Sequence, residues 1–163
     1  MTSRQRTPET THKIMSSIKS KNTKPEIRLR KALWHHNIRY RVNYSKLPGK
    51  PDIVITKYKI AIFCDGDFWH GHNWAIRGKK SLDEELEEYS EYWKKKILRN
   101  VERDEENNKA LIALGWTVVR FWGSDIENKL QECVKMVEEV IFDMKIQTDL
   151  LEEAIVLEED KNR

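Results

Sequence analysis

Two short apolar runs constrain this fold most. Residues 52–56 (DIVIT) and 59–64 (KIAIFC) are rich in β-branched and apolar side chains, and only Lys57-Tyr58 separates them. Such runs read as strands, and so short a connection makes them an antiparallel hairpin. Pro48-Gly49-Lys50-Pro51 breaks the chain just before the first strand, which puts Asp52 at a strand entrance. In a hairpin the start of one strand lies beside the end of the other, so Asp52 and Asp65 share one end of the sheet. Two carboxylates that close repel unless a cation bridges them, and carboxylate oxygens suit magnesium, which keeps waters and needs few protein ligands. The pattern points to a magnesium site for phosphodiester hydrolysis. At this level the alternative, that both aspartates are only turn residues, stays open.

Helices and further strands surround the hairpin. Thr23-Lys24-Pro25-Glu26 has the form of a capping box with Pro in the first turn, opening a helix to about Asn37 with Ile27, Ala32, Leu33 and Trp34 as its buried stripe. Residues 38–42 read as a strand, residues 82–114 as one long helix closed by Gly115, and residues 116–122 as a strand. Ser124-Asp125-Ile126-Glu127 reads as a second capping box, opening a helix that turns Ile126, Leu130, Val134, Val137 and Ile141 inward. Residues 150–163 form either a short helix or a disordered end. The class is α/β, a mixed sheet with helices on its faces.

Charge is distributed unevenly. Residues 1–31 carry nine Lys and Arg against two Asp and Glu, while residues 146–163 carry two against six. A basic arm of this kind can lie along a polyphosphate backbone or remain a solvated end. At 163 residues the chain has the size of one domain. No run approaches the roughly 18 apolar residues of a membrane span, and the N-terminus lacks a signal-peptide stretch, so a cytoplasmic address with no membrane partner is expected. Cys64 and Cys133 show no metal-binding or disulfide spacing.

Pro51-Asp52 followed by an acidic residue at the next strand's end resembles the PD-(D/E)XK nuclease signature. "TKPEIRLRKAL" (23–33), "LPGKPDIVI" (47–55), "IAIFCDGDFWHGH" (60–72) and "YWKKKILRNVERDEENNKALIALGWTVVRFW" (92–122) together resemble the very short patch repair (Vsr-type) DNA mismatch endonucleases. The resemblance implies a restriction-endonuclease-like fold, with residues 1–145 as one endonuclease domain led by a basic arm to about residue 22, and an acidic tail over 146–163. It implies an enzyme that uses magnesium to nick one strand of duplex DNA beside a thymine–guanine mismatch. Asp52 matches the metal-binding aspartate and His70 the catalytic histidine acting on the attacking water. Cys64 falls where a backbone carbonyl reaches the metal, Asp65 where a second acid binds metal or orients water, and Glu26 where an active-site glutamate stands. An imidazole, titrating near about 6.5, suits that proton transfer, while His72 is expected to face elsewhere. Phe68, Trp69 and Trp93 match aromatics that wedge into the duplex. Lys96, Arg99, Asn100 and Arg103 lie on a basic helix run suited to phosphate contacts. For Glu26 the capping box, for Trp93 core packing and for the basic run a solvated face are the plainer alternatives.

The chain departs from the resembled pattern at two points: Asp65-Gly66-Asp67 offers acid where the PD-(D/E)XK lysine would stand, so His70 is expected to supply that role, and the zinc positions differ. The positions of the family's structural zinc are here Asp67, His72, Trp74 and Ser124, too few ligands for a closed tetrahedral site. No structural zinc is expected, and the loop over 66–81 is expected to be held by packing through Trp74 and Ile76. Expected partners are duplex DNA and, among proteins, mismatch-repair proteins or a DNA cytosine methyltransferase; a monomer is expected. Two competing readings are a restriction- or homing-type nuclease without mismatch preference and a nonenzymatic DNA-binding module.

Overall fold

The computed structural model describes residues 21–161, so most of the basic arm lies outside the described residues. Helix α1 (Lys24–His35) begins at the expected capping box: Thr23 Oγ1 accepts the Glu26 amide at 3.4 Å, and Glu26 Oε2 accepts the Thr23 amide at 3.3 Å. Its inward set is Glu26, Leu29 and Leu33, spaced for one helical face. Ile27 and Trp34, expected to be buried, lie outside that set and are exposed. Asn37, in the left-handed region at φ 59°, closes the helix, and the Ile38 amide reaches back to the Leu33 carbonyl at 3.0 Å.

The strand expected over 38–42 shrinks to β1 (Arg41–Val42), because Ile38 turns into the core. Strand β2 (Ile53–Ile55) and strand β3 (Ile60–Asp65) form the hairpin, joined by a 3₁₀ turn over Thr56–Tyr58, with Ile53 opposite Ile62 and Ile55 opposite Ile60. Strand β4 (Thr117–Trp122) runs parallel to β3, completing a mixed sheet in the order β1-β2-β3-β4. A parallel pair needs a crossover, supplied here by α2 (Asn73–Ile76), α3 (Leu82–Leu86) and α4 (Glu91–Ala113). The single helix expected over 82–114 is therefore two, since Ser81 caps α3 and Ser90, in extended conformation, precedes α4. Gly115, at φ 80°, ends α4 as the Trp116 amide bonds the Leu111 carbonyl.

Helices α5 (Gly123–Asn128) and α6 (Leu130–Lys161) follow. The second capping box does not form: the Ser124 hydroxyl and amide both bond Asp67, so a tertiary contact takes the groups a local cap would use. Helix α6 continues to Lys161, exposing Leu150, Leu151 and Leu157 along its last turns. Among the described residues no helix is long and apolar enough to cross a membrane.

The two sheet faces differ. Ile53, Ile55, Ile60, Ile62, Val119 and Phe121 pack against α1, α5 and α6 in the main core. On the other face only Ala61, Phe63 and Leu111 form a buried cluster, beneath α4. Strand alternation puts Asp65 and Arg120 on this thinner face, where α4 meets them with Asp104 and Asn108.

Candidate active site

The hairpin places Asp52 beside the end of β3, where its Oδ2 accepts the Cys64 amide at 2.8 Å. One residue further, Asp65 is 5 % exposed and accepts from Arg120 Nη1 at 2.8 and 3.0 Å, one contact to each oxygen. The chain then folds back on itself, with the His70 amide on the Gly66 carbonyl and the His72 amide on the Asp67 carbonyl. Gly71, at φ 74°, lets the loop touch α4, since a Cβ there would meet Val101 at 3.0 Å. Asn100 secures the same contact by donating to the Trp69 carbonyl at 3.0 Å. His70 is thus set between two acids: its Nδ1–H donates to Asp104 and lies 3.8 Å from Asp65 Oδ1.

Asp52, Asp65, His70 and Asp104 face a cleft of about 610 Å³ whose rim includes Lys50 and Arg103. Burial raises the Asp52 carboxyl above its ordinary value against the Cys64 hydrogen bond, with the Asp65 charge adding to the rise. Asp65 is raised too, chiefly by burial, against the opposing pull of His70 and Arg120. Burial alone would lower His70, but the bond to Asp104 and the charges of Asp65 and Asp104 outweigh it and leave the imidazole raised. Burial also pushes the Cys64 thiol well up, keeping it neutral.

Glu26 is not among the residues facing this cleft. It is buried in its capping box and paired with Arg30, whose charge acts on Asp52. Phe68, Trp69 and Trp93 form one cluster, with ring centres 5.4–5.5 Å apart, and Tyr89 and Tyr92 extend it. The three rings are half-buried against one another. Lys96 Nζ lies 5.0 Å from the Trp69 ring centre. Arg99 is exposed and paired with Glu102 and Glu106, and Arg103 donates to Asn100.

The loop is fastened differently from the sequence-based expectation. Asp67 Oδ1 accepts the Ser124 hydroxyl at 2.7 Å and His72 Nδ1 at 2.9 Å, while Oδ2 accepts the Ser124 amide at 3.0 Å. The His72 ring stacks on Trp122 at 4.1 Å. Trp74 approaches His72 edge-on at 6.4 Å, but Ile76 is 53 % exposed.

Sequence reasoning passed over Asp104 and Arg120. A signal for Asp104 exists in the sequence: it closes the "NVERD" segment and lies four residues after Asn100, on the same helical face. Arg120 gave no such signal, since only the β3–β4 register, with Phe63 opposite Arg120, carries it to Asp65.

Paired acids and an imidazole at the end of a mixed sheet, rimmed by exposed cations, define a nuclease of restriction-endonuclease-like fold. The model of the family "DNA mismatch endonuclease Vsr" matches residues 4–76. The chain is 43 % identical over 137 residues to the type II nicking enzyme V.NmeDIP of Neisseria meningitidis serogroup C, covering 84 % of this chain and 89 % of the relative. It is 40 % identical over 138 residues to the type II nicking enzyme V.HpaIIP of Haemophilus parainfluenzae, covering 84 % and 94 %. Against the DNA mismatch endonuclease Vsr of Escherichia coli it is 35 % identical over 113 residues, 69 % of each chain. The protein belongs to the Vsr family of DNA endonucleases.

Proposed function

We propose that this endonuclease nicks one strand of duplex DNA beside a thymine–guanine mismatch, with magnesium as its cofactor. The observation that carries the reading is the cleft itself, where Asp52 and the His70–Asp104 pair face one space. The names of the relatives, nicking enzyme and mismatch endonuclease, support strand nicking and mismatch choice.

The residues present fit a hydrated divalent cation. Asp52 faces the cleft with only Oδ2 taken by the Cys64 amide, and an ion that keeps most of its waters needs few such oxygen ligands. Asp52 and the Cys64 carbonyl would hold it, beside Asp65. When bound, magnesium neutralises charge on the phosphate and acidifies water. His70, with Nδ1–H donated to Asp104, keeps Nε2 to accept the proton of the attacking water. Asp104 fixes that tautomer and stabilises the imidazolium that forms. Lys50 and Arg103 at the rim, with Lys96 and Arg99 further along α4, meet phosphates.

Glu26 acts through Arg30, and Asn100 through the loop it holds. Phe68, Trp69 and Trp93 stack into the duplex, where unstacking costs least beside a faulty pair. The loop works without zinc, because Trp74 offers no ligand atom and the oxygens of Asp67 already bond Ser124 and His72. The same reading takes the protein to act as a cytoplasmic monomer, with mismatch-repair proteins or a DNA cytosine methyltransferase as partners.

Nicking assays on matched and mismatched duplexes, with magnesium or with EDTA, test the reading. One nick beside the mismatch, abolished by EDTA, is expected. Equal cutting of matched DNA would instead mark a nuclease without mismatch preference, and binding without cutting would mark a DNA-binding module.

A further inference from the structure

Asp52 and Asp65 stand at the same sheet end, yet the protein treats their oxygens differently. Asp52 receives one backbone amide, on Oδ2. Asp65 has both oxygens spanned by a single nitrogen, Arg120 Nη1, at 2.8 and 3.0 Å. That nitrogen also lies 3.5 Å from Asp104 Oδ1, so one cation sits between the two acids that flank His70. The guanidinium has two further contacts: Nε donates to Asn108 Oδ1 at 2.8 Å, and its central carbon lies 4.1 Å from the Phe63 ring centre. Its Nη2 is buried without a hydrogen-bond partner among the described residues. Arg120 therefore sits where Asp65 needs it at the expense of one of its own donors, which costs free energy when buried.

A magnesium ligand must aim a lone pair at the ion from about 2.0–2.1 Å, and a fixed positive charge bonded to the same carboxylate opposes a second cation there. Arg120 fills for Asp65 the place a metal would fill. We propose that Arg120 is a positioning residue that withholds Asp65 from the divalent cation, so that Asp52 anchors the ion while Asp104, the other carboxylate facing the cleft, stays bonded to His70. The proposal rests on Asp52 being the cation's anchor, and it revises the role of Asp65 from metal ligand to partner of Arg120 and neighbour of His70.

Manganese binding to the full-length protein without DNA, followed by the electron paramagnetic resonance signal of the free ion, tests this without relying on turnover. Asp65→Asn should leave the affinity within about twofold of wild type. Arg120→Met should tighten binding by about tenfold, since the freed carboxylate adds ligand charge, and Arg120→Met with Asp65→Asn should return it to the wild-type value. Arg120→Lys should behave as wild type, because one nitrogen already spans both oxygens and an ammonium can replace it. Tenfold weaker binding in Asp65→Asn, or unchanged binding in a folded Arg120→Met, overturns the proposal. If Arg120→Met does not fold, the Asp65→Asn result decides alone. Asp52→Asn separates the underlying reading, since unchanged manganese affinity in that variant would remove Asp52 as the anchor whatever the others show.

Discussion

Two histidines two residues apart in one loop each pair with an aspartate, His70 with Asp104 across on α4 and His72 with Asp67 within the loop, and their surroundings differ. His70 donates to Asp104 at the wall of an open cleft, with Asp65 on its other side. His72, two residues on, bonds Asp67 and stacks flat on Trp122, while Asp67 is also fastened to Ser124. The side chains are the same and the surroundings differ. One imidazole has acids on both sides and lines the cleft. The other is fixed by an aromatic face, where it can only hold the loop. Residue type alone does not mark a chemical site; what decides is whether a second charged group and an open space meet the ring.

The largest break in this comparison should come from Asp52→Ala, which removes the carboxylate proposed to anchor the cation but no part of the basic rim. Nicking should fall below detection, while duplex affinity, measured by fluorescence anisotropy, stays within a few fold. Asp104→Asn should slow single-turnover nicking by about 10²–10⁴-fold, because the histidine it holds in the working tautomer loses its role as base. It should also move the pH profile. His70 must be neutral to take a proton, so the rate rises as pH climbs through its raised pKa, and losing Asp104 removes a cause of the rise and shifts that limb to lower pH. The sign for stability follows from the same shift: protonated His70 stabilises the fold below its unfolded value of about 6.5, and this is lost as pH rises through the raised value.

A smaller effect should follow from Phe68→Ala with Trp69→Ala. Because the rings are half-buried against one another, the melting temperature should drop modestly, by more than exposed wedges would allow and less than the ~3–5 kcal/mol of a core aromatic. The ratio of mismatched to matched nicking should collapse toward one; an unaltered ratio would move substrate choice elsewhere. The smallest effect on chemistry belongs to Asp67→Ala, which should cost about 1–3 kcal/mol of stability in denaturant melts through the unpaired Ser124 and His72 groups. EDTA should leave the wild-type melt unchanged if the loop is held without zinc.

The hairpin was legible because turn, strand propensity and the Pro-Gly break agree over a dozen residues, and it carried Asp52 to Asp65 with it. His70 was legible only through the resemblance of its loop. The contacts that were missed depend on register. Arg120 reaches Asp65 through a parallel pairing that no local pattern encodes, and Asp104 reaches His70 because Gly71 and Asn100 press the loop against α4. Local signals also lost to tertiary ones: Ser124 looks like a helix cap and spends its hydroxyl on Asp67 instead.

The most direct test compares His70→Ala with His72→Ala, measuring single-turnover nicking of a mismatched duplex at saturating protein alongside each variant's melting temperature. A general base contributes typically ~10²–10⁴-fold, so His70→Ala should lose that much rate while melting close to wild type. His72→Ala should melt lower yet, at a temperature where it is folded, nick within a few fold of wild type. Near-normal nicking by His70→Ala, with the large rate loss falling on a folded His72→Ala, would contradict the assignment of chemistry to the first ring and anchorage to the second.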